Sequence, residues 1–296
     1  MFSSPRYLIP AIIIVVLVFA AGPGYLSYEA SNPVVSVIEV KGVPERIVFI
    51  ADPHLREGNA EAIHELVRQV NGLEPSVVLI GGDFTAGDEH NLSLQDVWRE
   101  LDAPAYAVLG NHDYRAGIGG GGLEGRLAWT AEILLRARGI DTTGYYSPVT
   151  DCPGADALEQ RLEENGVTVL RNEAVEVSCG GGNITLVGVD DLWAGKANPP
   201  DVTRNGPPVI YMVHEPVVYP GWDADLVLSG HTHGGQFNNA PFQLLNSLEI
   251  ADIQGFHRKG DVLLYVTRGV GTSASGTDQR FLAPPEIVLI NPGPGL

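Results

Sequence analysis

The chain has 296 residues, with 18 Lys plus Arg against 36 Asp plus Glu and a formal net charge of −18 at pH 7. That length accommodates one large α/β domain or two small ones. No Lys/Arg-rich run is present, which argues against nucleic acid as a partner, because backbone binding needs basic surface to displace counterions. An acidic protein can still act on a phosphate when a bound divalent cation reverses the local field.

Leu8 to Ala21 is apolar apart from Pro10, and with Gly22 to Tyr28 it supplies the ~20 residues a membrane span needs. A secretory signal peptide is the competing reading. The anchor reading divides the chain into a transmembrane segment at 1–28, a linker and first strand at 29–40, and one domain at 41–296. Arg6 before the segment and Glu29 after it weakly favour a single-pass membrane protein with its domain outside the cytoplasm, and no twin-arginine signature is present. Cys152 and Cys179 are too few for a thiolate zinc cage or a disulfide framework. One disulfide or two free thiols remain open.

After the Ser-Asn-Pro break at 31–33, Val34 to Val40 reads as a strand, as does Ile47 to Ile50, which ends in ADPH. Asn59 to Asn71 reads as a helix with Ile63, Leu66, Val67 and Val70 on one face. Val77 to Ile80 ends in GGD, completing a β-α-β unit. A short helix is expected at Asp96 to Leu101, then a strand at Tyr106 to Leu109 ending in GNHD. From 114 to 154 the rhythm breaks into an insertion or flap with glycines at 119–122, a helix from Leu127 to Arg138 and a polar loop holding Cys152. Segments at 167–170, 174–178, 184–189, 209–213, 226–228, 262–266 and 287–290 are short, β-rich and bounded by turn residues, and read as strands of a second sheet. Phe237 to Phe256 is an apolar-rich loop, read either as core packing or as a lip for acyl chains.

Five apolar runs end in residues able to bind metal: IVFIADPH, VVLIGGDF, YAVLGNHD, VIYMVHEP and LVLSGHTH. In open α/β sheets, functional groups gather beyond the carboxyl ends of strands. Of eight histidines, five (His54, His112, His214, His231 and His233) lie at these ends. His64 sits on the amphipathic helix as a surface residue, and His90 and His257 have no assigned role. The donors are oxygen and imidazole nitrogen without sulfur. Such a set suits Mn, Fe or Zn in a catalytic site with open positions, with enough donors for two ions about 3.5–4 Å apart that clamp a phosphoryl group and activate a water.

DPH, GGDF, GNHD, VHEP and GHTHGGQ, in that order, resemble the signature of the calcineurin-like metallophosphoesterases. The resemblance implies an α/β fold, a four-layer α-β-β-α sandwich of two mixed sheets. It also implies that Asp52, His54, Asp83 and His233 hold one divalent ion, and Asp83, Asn111, His214 and His231 the other, with Mn favoured. His112 would sit beside the substrate as a catalytic group, a task imidazole suits. Asp113 would either orient it or support the loop from behind. Protein serine/threonine phosphatases of this superfamily carry an Asp three residues after the bridging one, where this chain has Ala86. LVGVDDLWAG and RGVGTSASGTDQRFLAPPEIVLI are similar to a bacterial membrane-associated branch of UDP-2,3-diacylglucosamine pyrophosphatases of lipid A synthesis and Mn-dependent phosphodiesterases of the cell envelope. The expected activity is thus hydrolysis of a phosphodiester or pyrophosphate in a lipid-linked or other phosphoester substrate by a monomer. The alternative of another class is a non-catalytic binding module on the same scaffold, disfavoured because every ligand position is filled.

Overall fold

The structure is a computed structural model that describes residues 22–86, 91–116, 150–273 and 278–294. β1 (Val34–Val40), β2 (Ile47–Ile50), β3 (Val77–Gly81), β4 (Ala105–Val108), β5 (Val167–Val169) and β12 (Glu286–Pro292) form one sheet in the order β1-β12-β2-β3-β4-β5. β6 (Glu173–Cys179), β7 (Gly182–Gly188), β8 (Val209–Met212), β9 (Leu226–Ser229), β10 (Gly255–Lys259) and β11 (Val262–Val266) form the other, in the order β10-β11-β9-β8-β7-β6. Both sheets are mixed: β12 runs antiparallel to β2, and the β6-β7 and β10-β11 pairs are antiparallel hairpins in the second sheet.

Side-chain alternation along the strands builds the layers. Ile47 and Phe49 of β2 join Leu79, Ile210, Met212 and Leu228 in the core between the sheets. Val48 and Ile50, one position out of phase, instead pack with Ile63, Leu66, Val67 and Val70 of the helix Ala60–Gly72. Each such side chain contributes about 1.5–3 kcal/mol relative to exposure. The helix and its buried face agree with the 3.6-residue period of the sequence.

Assignment of strands to sheets differs from expectation. β5 and β12 belong to the first sheet, β12 slotting between β1 and β2, parallel to one and antiparallel to the other. Local pattern marks a strand but not its partner, which here lies more than 200 residues away in sequence. Three further elements escaped the pattern. The helix Cys152–Glu164 starts where Asp151 accepts the Gly154 N–H at 3.0 Å and Pro153 occupies the first turn, in what reads as a polar loop. Ala240–Ser247 is a helix inside the apolar loop, with no buried residue. β10 is half polar and lacks a hydrophobic run. The short helix expected at Asp96 to Leu101 is a 3-10 helix that begins earlier, Leu92–Glu100, capped by Asn91.

Val202, Val217, Val218, Tyr219 and Trp222 pack against the cluster that includes Val209, Tyr211 and Val227 of the second sheet. Tyr211 of β8 stacks on Trp222 with ring centroids 4.7 Å apart. The expected helix at 127–138 and the glycines at 119–122 lie outside the described residues, as do His90 and the apolar residues 8–21. No helix among the described residues is long and apolar enough to cross a membrane. Residues 22–30 are helical and pack on the domain, with the Arg280 N–H bonded to Leu26 O at 3.1 Å and the Ala283 N–H to Glu29 Oε1 at 2.8 Å. Cys152 and Cys179 are both free thiols.

Candidate metal centre

The carboxyl ends of β2, β3, β4, β8 and β9 converge at one edge of the sandwich and deliver every residue singled out from the sequence. The backbone leaves these strands abruptly. Asp52, His54, Asp83, His231 and His233 all have positive φ, between 42° and 69°. Non-glycine residues in that region cost energy that a packed surround must hold, a feature concentrated at functional sites. Glycines permit the close approach: a Cβ on Gly110 would lie 2.3 Å from Asp83 Oδ1, and one on Gly82 would lie 2.9 Å from His214 Nδ1.

The donors fall into two groups around one oxygen. Asp83 Oδ2 is 3.4 Å from His54 Nε2 and 3.2 Å from His214 Nε2. On one side, His54 Nε2 faces His233 Nε2 at 3.0 Å, and Asp52 Oδ1 stands 4.0 Å from His233 Nε2. On the other, His231 Nδ1 lies 3.1 Å from Asn111 Oδ1 and 3.2 Å from His214 Nε2. Asp52, His54, Asp83, His214 and His233 are buried. Backbone carbonyls orient two of the rings: His54 Nδ1 donates to Thr85 O at 3.1 Å and His214 Nδ1 to Gly81 O at 2.8 Å, so both turn Nε2 inward.

Without a cation this cluster is electrostatically frustrated. Burial pushes the Asp52 carboxyl up to about 7 and drives His54 down to about 3, and Asp52 Oδ2 has no hydrogen-bond partner. His214 goes the other way: burial opposes its charge, but Asp83, Asp52 and Glu215 hold its pKa well above the usual imidazole value. The donor set and the inward-facing nitrogens fit divalent ions. An ion held by His214 would compete with protonation of that ring, so apparent affinity is expected to rise with pH. Calorimetric Mn titration in buffers of different ionisation enthalpy checks this; a binding heat independent of the buffer would contradict it.

His112 is half-buried, its ring edge-on to His54 with centroids 4.7 Å apart. Its backbone N–H donates to Asp83 Oδ1 at 2.9 Å, which steadies the shared carboxylate. Asp113 bonds elsewhere: Oδ1 accepts the Thr85 N–H at 3.0 Å and Oδ2 the Gly110 N–H at 2.9 Å. Of its two expected roles, these bonds match loop support, tying the β3 loop to the β4 loop.

Four residues beneath the centre went unassigned in the sequence. Glu215 accepts the backbone N–H groups of Leu192 and Trp193, at 3.3 and 3.0 Å. Trp193 then stands edge-on to His231, ring centroids 4.5 Å apart. Asp191 is fully buried against Glu215, and burial with that neighbour raises its pKa well above the carboxylate range. The guanidinium of Arg280 is fully buried and donates to Arg268 O at 2.8 Å, Ala283 O at 2.9 Å and His233 Nδ1 at 3.3 Å. DDLW and VHEP carried a signal for the first three. Arg280 lies within RGVGTSASGTDQRFLAPPEIVLI, but that resemblance assigns it no role.

The calcineurin-like phosphoesterase family model matches residues 45–235. The chain belongs to that family. It is 28% identical over 289 residues to the phosphodiesterase YaeI of Escherichia coli K12, covering 92% of this chain and 93% of that protein. It is 30% identical over 281 residues to the UDP-2,3-diacylglucosamine pyrophosphatase LpxG of Chlamydia trachomatis, covering 83% of this chain and 82% of the relative. LpxG of Chlamydia muridarum matches at 28% identity with the same coverage. This phosphoesterase is accordingly a hydrolase with a centre suited to divalent metals.

Proposed function

We propose that the chain is a membrane-anchored phosphodiesterase or pyrophosphatase whose substrate is a phosphoester of the cell envelope, with UDP-2,3-diacylglucosamine as the first candidate. The observation that carries the reading is the pair of donor groups sharing Asp83 Oδ2. Asp52, His54, Asp83 and His233 would hold one ion, and Asp83, Asn111, His214 and His231 the other. Bound there, two divalent ions, Mn being the first choice, would supply a nucleophilic water and neutralise phosphoryl charge. The names of the Escherichia coli and Chlamydia relatives support the two bond types. The apolar run at 8–21 supports the anchor.

The protein's own residues do the rest. The buried carboxylates and imidazoles exclude bulk water and fix the donor geometry, with Asp113 and Glu215 pinning the loops. His112, at the rim, donates a proton to the leaving oxygen. Its backbone N–H keeps Asp83 Oδ1 engaged, leaving Oδ2 as the shared atom.

Hydrolysis by the full chain with Mn tests the reading, offering UDP-2,3-diacylglucosamine beside bis-p-nitrophenyl phosphate. UMP release that falls by about 10²–10⁴-fold in His112→Ala is the expected result. It would favour a domain facing the cytoplasm, against the weak charge asymmetry of Arg6 and Glu29. Turnover of the simple diester alone would reject the nucleotide-lipid substrate and retain a phosphodiesterase. Full activity in His112→Ala would remove the general-acid assignment.

A further inference from the structure

Single exposed hydrophobic side chains are ordinary on a protein surface, but their confinement to one region is not. Among the described residues the exposed large hydrophobics all fall in four segments, 25–28, 34–37, 244–250 and 281–282. Residues within or next to these segments are linked. The Phe281 ring lies edge-on to Tyr25 with centroids 6.5 Å apart. The Asn238 N–H donates to Phe281 O and its side-chain amide to Leu282 O, at 2.8 and 3.3 Å. The Val34 N–H donates to Pro285 O at 2.8 Å.

The helix Ala240–Ser247 is the centre of this region. It buries none of its residues, Leu244 and Leu248 are 57% and 58% exposed, and residues 237–248 contain no ionisable group in a chain with 36 acidic ones. It also adjoins the metal centre. The excursion begins after His233, and its far end returns to Thr232, whose hydroxyl donates to Ile253 O at 2.7 Å. A Cβ on Gly235 would touch the Phe242 ring at 3.6 Å. The helix at 22–30 packs against the same region and follows the apolar residues 8–21 in the sequence.

We propose that the helix Ala240–Ser247 with Leu248 and Ile250, the Phe281–Leu282 segment and the exposed face of helix 22–30 form a lipid-docking surface, which seats the metal centre beside the bilayer. An apolar face with no ionisable group from 237 to 248, bordered by the exposed Glu249 between Leu248 and Ile250 and reached by the chain's own hydrophobic segment, suits an acyl interior with the carboxylate at its headgroup edge. The inference rests on the anchored reading only for what brings the domain to the membrane.

The test uses the full chain with Leu248→Cys in a Cys152→Ser background, Cys179 being buried. Bimane is attached at position 248, or at 163 through Glu163→Cys on the helix Cys152–Glu164, which packs beside β5 at the other edge of the first sheet. The protein is reconstituted in discs of phosphatidylethanolamine and phosphatidylglycerol containing brominated lipid. Expected are retention in the discs, blue-shifted and quenched emission at 248, and neither change at 163. Retention with water-like emission at 248 would overturn the docking surface while leaving the anchor intact. A blue shift without quenching would assign the face to a second copy or another protein, and also overturn it. Failure of retention would reject anchor and docking face together. Hydrolysis of bis-p-nitrophenyl phosphate by the same sample reports separately on the catalytic reading.

Discussion

Asp83→Asn is expected to lower hydrolysis by more than about 10³-fold and to remove bound metal, while leaving the fold intact. Its Oδ2 is the atom both donor groups approach, 3.4 Å from His54 Nε2 and 3.2 Å from His214 Nε2, whereas Oδ1 accepts the His112 N–H at 2.9 Å. The amide can keep the second bond but carries no charge to share between two cations. Proximity of His214, His112 and His54 holds the Asp83 carboxyl well below the usual range despite burial that opposes it, so the charge is present at any working pH. Metal content by atomic emission, beside turnover and circular dichroism, checks the result. Asp83→Asn protein with two Mn per chain would sink the bridging role. Asp83→Ala should be worse still, because it also releases the His112 loop.

Arg280→Met is expected to destabilise the protein by about 3–5 kcal/mol and to weaken metal binding. The guanidinium is fully buried, and its donors are distributed over the carbonyls of Arg268, Gly269, Gly271 and Ala283 as well as His233. Methionine fills the volume but leaves those acceptors without donors, and each unsatisfied buried group costs about 1–3 kcal/mol. Burial lowers the Arg280 pKa only to about 10, so the charge persists near neutral pH and balances the acidic centre. Arg280→Lys should restore only part of the loss, because an ammonium has three donors and lacks the planar fork. Urea midpoints of metal-free and Mn-loaded protein measure the effect. A shift worth less than about 1 kcal/mol for Arg280→Met would show that the carbonyls find other partners.

The metal centre was legible because its parts are short and local. An apolar run followed by Asp, Asn or His marks a strand end, and β2, β3, β4, β8 and β9 bring Asp52, His54, Asp83, Asn111, His214, His231 and His233 together. The supporting shell was far less visible. Arg280 reaches His233 across 47 residues, and the stretch around it, though similar to the branch, does not signal that contact. Asp113 shows the same limit: the GNHD motif gives its neighbour His112, while its bonds to Thr85 and Gly110 depend on where two loops meet.

The sequence by itself determined the family, the β-α-β beginning and which residues stand at the strand ends of the candidate centre, since each depends on residue type and near-neighbour spacing. Tertiary structure alone decided that β12 pairs with both β1 and β2, and that β5 closes the first sheet's other edge. It alone brought Tyr25 to Phe281 and Asn238 to Leu282. Pairing and surface adjacency are set by contacts between residues far apart in the chain. Local hydrophobic period carries no record of them.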